Sequence, residues 1–94
     1  MAKRTRPEDA AWSDYAGQLA TNLHRLRLER GLSQEDVAYR SGLTRYTYQK
    51  YEKGESKPGT PANPTIRTLL AMSQALGVEL TEILPPDAPD LRLR

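Results

Sequence analysis

A run of donor-bearing side chains from Thr44 to Lys53, TRYTYQKYEK, is the part of this sequence with the clearest capacity for chemistry. At helical spacing Arg45, Tyr46, Gln49, Lys50 and Lys53 share one face, while Tyr48 and Tyr51 turn to the other. Such a helix is anchored by two aromatic rings and presents guanidinium, amide and ammonium groups outward, which is what a DNA major groove requires. Arg45 can pair with guanine O6 and N7, and Lys50 has a similar preference. Tyr46 can touch a thymine methyl or a phosphate, and Gln49 lies at the edge of the same surface. These four are the candidate base readers. Catalysis finds no comparable support. There is no cysteine, His24 is the single histidine, and no glycine-rich phosphate loop follows a strand. No metal site or cofactor is implied.

The reading stretch needs elements that hold it. Ser33 is a helix cap, with Asp36 placed to return a hydrogen bond and Gln34, Glu35 and Asp36 suited to the positive end of the helix dipole. Gly42 ends this short helix and Thr44 caps the next, which runs to Gly54. Two helices joined by so few residues must cross steeply, so that Val37, Ala38, Leu43, Tyr48 and Tyr51 share one apolar centre. Upstream, Pro7, Glu8 and Asp9 suit a first helical turn. Trp12, Tyr15, Ala16, Leu19, Ala20, Leu23 and Leu26 then repeat at three and four, predicting an amphipathic helix to Arg30 that Gly17 could interrupt. Gly31 closes it. The stretch Gly54 to Asn63 has two prolines and two glycines in ten residues and reads as a loop. Asn63 is expected to cap the following helix and Pro64 to occupy its first turn, with Ile66, Leu69, Leu70, Met72 and Leu76 as the apolar stripe. A last short helix, Glu79 to Leu84, precedes a tail in which Pro85, Pro86 and Pro89 prevent further helix.

The pattern Ser33-Gln34-x-x-Val37-Ala38, then Ser41-Gly42-Leu43-Thr44, then Tyr48-x-x-Tyr51-Glu52-x-Gly54 resembles the helix-turn-helix of the lambda-repressor-like (Cro/C1-type, XRE) family, over about Leu19 to Leu84. Departures are Tyr48 and Tyr51 in place of the family's usual aliphatics, Gln49 in place of a small hydroxyl residue, and an insertion near Pro58 to Ala62. The resemblance implies an all-α, five-helix domain with an additional N-terminal helical segment. It divides the chain into a basic arm and extra helix (1–18), the helix-turn-helix domain (19–84) and a Pro-rich tail (85–94). It further implies that Gln34 meets a phosphate or braces a reader, that Thr44 and Thr47 donate to phosphate, and that helix starts near Ser33 and Asn63 offer backbone donors. Lys53, Ser56 and Lys57 are added as phosphate candidates. Arg27 and Glu52 match the family's structural ion pair.

Composition is consistent with this and selects little by itself. Ninety-four residues suit one domain. Net charge is only +2, but residues 1–57 carry eleven Lys or Arg against eight Asp or Glu, and residues 58–94 three against four. The basic excess therefore lies with the reading unit. Lys3, Arg4 and Arg6 read as a mobile basic arm able to follow phosphates or enter a minor groove. Without cysteine, a membrane-length apolar run or a secretion signal, a reducing cytoplasm is the expected setting.

The function expected on these grounds is sequence-specific binding of double-stranded DNA to regulate transcription, by repression at a palindromic operator. One unit covers few base pairs, so a homodimer is expected, joined through Leu80, Ile83 and Leu84 or through Trp12 and Tyr15. The rival expectation is an antitoxin or interaction module that binds a partner protein through the added start or the tail.

Overall fold

The computed structural model describes residues 7–92, with the backbone alone for residues 7–9. The expected basic arm, Lys3, Arg4 and Arg6, lies outside the described residues. Five helices and one small hairpin follow in order: α1 (Pro7–Glu29), α2 (Gln34–Arg40), α3 (Arg45–Lys53), β1 (Glu55–Lys57), β2 (Thr60–Pro61), α4 (Ile66–Leu76) and α5 (Leu80–Ile83).

The first helix passes through Gly17 unbroken. It ends one residue before Arg30, where the Leu32 N–H donates to the Arg27 carbonyl at 3.1 Å and Gly31 takes φ +67°. Its inward residues Leu19, Leu23 and Leu26 meet Val37 and Ala38 of α2, Tyr48 of α3, Met72 and Leu76 of α4 and Ile83 of α5 in one core. Leu32, Leu43 and Tyr51 pack against the rim of that core. The turn between α2 and α3 is closed by Leu43 N–H to the Ala38 carbonyl at 2.8 Å, with Gly42 at φ +71°, a conformation that a β-carbon would strain.

Three expectations are corrected. The loop after α3 contains an antiparallel hairpin, pairing Glu55 with Pro61 and Lys57 with Thr60 around a Pro58-Gly59 turn. Its strands are too short for an alternating pattern to be visible. The cap of α4 is Thr65, whose Oγ1 accepts from Thr68 N–H at 3.1 Å, and not Asn63, so Pro64 precedes the helix. This Thr-x-x-Thr start reproduces the one at Thr44 and Thr47. Ile66 and Leu70 are 67% and 43% exposed, because they lie on one flank of α4, one turn apart, rather than over the core.

The added N-terminal turns of α1 pack against the far end of the chain. Trp12 and Tyr15 stack at 5.8 Å, and the Tyr15 hydroxyl donates to the Pro85 carbonyl at 3.0 Å. Asn22 Nδ2 similarly donates to the Ile83 carbonyl at 3.0 Å. No helix among the described residues is long and apolar enough to cross a membrane.

Candidate nucleic-acid interface

The second helix of the pair, α3, is locked at its C-terminal end and open at its N-terminal end. Tyr48 is fully buried, and Gly54 caps the helix in the left-handed region at φ +79°. Between them Glu52 lies with its side chain only 4% exposed, at the centre of a polar cluster. The guanidinium of Arg27 donates twice to it, Nε to Oε2 at 2.6 Å and Nη2 to Oε1 at 3.2 Å, and also donates Nη1 to the Leu32 carbonyl at 2.9 Å. This two-pronged pairing ties α1 to both α3 and the turn before α2, fixing orientation. His24, one turn before Arg27, places Nδ1 3.0 Å from the same Oε1.

Burial alone would push the Glu52 carboxyl up, but the bonds from Arg27 and its neighbours outweigh that and hold it at about 2. Arg27 is correspondingly raised above its ordinary value by the bond to Glu52, against the opposing effect of burial. Burial pushes the Tyr48 phenol up. Its hydroxyl is buried beside the same ion pair without a hydrogen-bond partner of ordinary geometry among the described residues.

From this cluster a chain of amides reaches toward solvent. Gln34, the first residue of α2, donates Nε2 to Glu52 Oε1 at 3.2 Å, and Gln49 donates Nε2 to Gln34 Oε1 at 3.1 Å. Gln34 and Gln49 are both half-buried. Arg45 and Tyr46, in the first turn of α3, are exposed. Lys50 holds its ammonium 4.5 Å from the centre of the Tyr46 ring, a cation–π contact that orders two of the four candidate readers against one another. Thr44 caps the helix: its Oγ1 accepts from Thr47 N–H at 3.1 Å and its hydroxyl donates to Thr47 Oγ1 at 3.0 Å, leaving the Thr47 hydroxyl proton available.

A cleft between α3 and the hairpin brings Tyr46, Gln49, Lys50 and Lys53 together with Ser56 and Lys57. Glu55 also faces it, but its carboxylate is engaged with the Gly59 N–H at 2.8 Å, which braces the hairpin turn. Asn63 is exposed beyond the hairpin and heads no helix. Sequence reasoning missed His24 beside Glu52 and, although it expected Gln34 to meet a phosphate or brace a reader, did not single out its bond to Gln49. The three-residue spacing of His24 and Arg27 on α1 was a signal for the first; the second joins positions whose distance depends on the α2–α3 crossing angle.

A buried ion pair, a short capped helix, a tight glycine turn and a second helix with an outward donor face define a helix-turn-helix DNA-binding domain. A helix-turn-helix family profile, HTH_3, matches residues 23–83, and the chain belongs to this Cro/C1-type family of DNA-binding transcriptional regulators. Among its relatives is the uncharacterized HTH-type transcriptional regulator y4dJ of Sinorhizobium fredii, 40% identical over 72% of this chain and 80% of that protein. The cryptic phage CTXphi transcriptional repressor RstR of Vibrio cholerae is 32% identical over 69% of this chain, which spans about half (53%) of that repressor. In three dimensions the restriction-modification controller protein C.AhdI of Aeromonas hydrophila superposes with a TM-score of 0.65 at 30% identity, covering 73% of this chain and 96% of that one.

Proposed function

We propose that this regulator is a repressor that binds a palindromic operator as a homodimer, inserting α3 of each protomer into successive major grooves about 34 Å apart. It would do so in the cytoplasm, on the nucleoid. The observation that carries the reading is the asymmetry of α3: one face is buried against α1 and α2, while Arg45 and Tyr46 stand exposed at its start. In this reading Arg45, Tyr46, Gln49 and Lys50 meet base edges, and Thr44, Thr47, Gln34, Lys53, Ser56 and Lys57 lie along the phosphates. Asn63 joins them only through its own side chain, since α4 begins after it. Residues 19–84 form the DNA-binding domain. The start is assigned to 1–18 and the tail to 85–94; their described parts, joined through Tyr15 and Pro85, flank the domain, with Trp12 and Tyr15 or Leu80 and Leu84 serving the dimer contact. Ile83 is fully buried within its own protomer and is assigned to the core.

Selection of bound sites from random duplex DNA tests this. Arg45→Ala is expected to relax base preference at one position per half-site, worth about 1–3 kcal/mol of discrimination. Lys53→Ala is expected to weaken all sequences alike and to lower the salt slope by about one. Equal, sequence-blind effects of both changes would overturn the assignment.

A further inference from the structure

The chain Glu52, Gln34, Gln49 has a direction, and the direction is dictated by chemistry. A carboxylate held ionised at the inner end has no proton to give, so the amide of Gln34 must turn its nitrogen to Glu52 Oε1, at 3.2 Å. Its oxygen is thereby turned to Gln49, whose nitrogen must donate in turn, at 3.1 Å. Neither amide can flip without placing two acceptors or two donors face to face. Because Arg27 and His24 hold Glu52 from the other side, the inner end is fixed. Gln49 is left with one free N–H and an oxygen that receives no hydrogen bond among the described residues.

We infer that Gln49 is the adenine-reading residue of α3, and that Gln34 and Glu52 are positioning residues that set the polarity of its amide. The inference rests on the DNA-binding reading above and deepens it. One acceptor beside one donor matches the adenine edge in the major groove, where N6 donates and N7 accepts. Guanine presents two acceptors, O6 and N7. An unrestrained glutamine can turn both of its N–H groups toward them, but in Gln49 one N–H is already committed to Gln34. The internal chain therefore discriminates against guanine as well as favouring adenine.

The experiment uses the full chain and its selected site. The base pair whose preference disappears in Gln49→Ala is expected to carry adenine. Replacing that adenine by 7-deazaadenine, which lacks the N7 acceptor, or by purine, which lacks the 6-amino group, should weaken wild-type binding. The two losses together are expected to reach roughly 5- to 150-fold, the worth of one bidentate contact. Gln49→Ala should be indifferent to both analogues. Gln34→Met should narrow the adenine-over-guanine ratio at this position while leaving preferences set by Arg45 in place. The analogue arm needs only the wild type and a change at the partly exposed Gln49, so it decides the matter even where Gln34→Met folds poorly. A purely internal bridge would leave wild-type binding unmoved by both analogues, and that result overturns the inference. A selection that enriches no site at all removes the DNA-reading assignment first, and this one with it. An enriched site whose adenines are untouched by Gln49→Ala removes this one alone.

Discussion

The two ends of α3 differ in almost every physical respect, although they are separated by only two turns. The last turn is saturated: Glu52 accepts from Arg27 and Gln34 with His24 Nδ1 3.0 Å from it, Tyr48 is fully enclosed, and Gly54 presses on α1. The first turn is nearly bare. Arg45 has no hydrogen bond or ion pair among the described residues, and Tyr46, 69% exposed, touches Lys50. Desolvation was met by folding at one end and is deferred at the other until a partner supplies acceptors. Rigid placement and open chemistry are thus assigned to opposite ends of one short element. The amide chain through Gln34 is the point where they meet, because it carries the order of the closed end to Gln49.

The largest effect should come from breaking the saturated end. Arg27→Leu leaves the Glu52 carboxylate enclosed without its main partner, and a loss of about 3–5 kcal/mol in urea unfolding is expected. Arg45→Ala, at the bare end, should change stability by about 0.5 kcal/mol or less. Similar values for the two would erase the contrast. Acid should distinguish the ends in the same way. Glu52 titrates at about 2 in the folded protein against an ordinary 4.5, so its contribution is fully present above pH 4.5 and is lost as pH falls toward 2. Glu52→Gln, less stable at neutral pH, should show a flatter decline across that window. An unchanged decline would mean that other carboxylates carry the acid sensitivity.

The same division governs what could be read before the fold was known. Caps and stops are local, and Ser33 with Asp36, Thr44, and Gly42 and Gly54 announced α2 and α3 in a few residues each. The pattern also marked Arg27 and Glu52 as partners 25 positions apart, and the structure places them 2.6 Å apart. What could not be read were contacts decided by relative placement of elements. The Gln34 to Gln49 bond depends on how steeply α2 and α3 cross. Ile66 and Leu70 satisfied a helical stripe but fell on its flank, because the stripe alone does not say how wide a strip the neighbours cover. The hairpin was hidden since strands of three and two residues carry no period, and the Asn63-Pro64 pair offered a good local start that hid the cap at Thr65.

Effects smaller than that of Arg27→Leu come from two glycines that meet where the closed end of α3 abuts α1. A β-carbon on Gly54 would stand 3.3 Å from the Ala16 carbonyl oxygen and 3.3 Å from the Gly17 α-carbon, both backbone atoms, and the residue sits at φ +79°. Gly54→Ala should therefore cost on the order of 1–3 kcal/mol. Gly17 looks like its counterpart but is not. A β-carbon there has nothing within 4 Å beyond its own helix, so Gly17→Ala should stabilise the protein by about 0.5–1 kcal/mol through reduced backbone freedom in α1. Thermal melts of the two variants carry the comparison, with opposite signs expected. A destabilised Gly17→Ala would mean that α1 and α3 approach more closely than the structure has them. Base preference at the Arg45 position should be unaltered in both, because neither change reaches the open end of the helix.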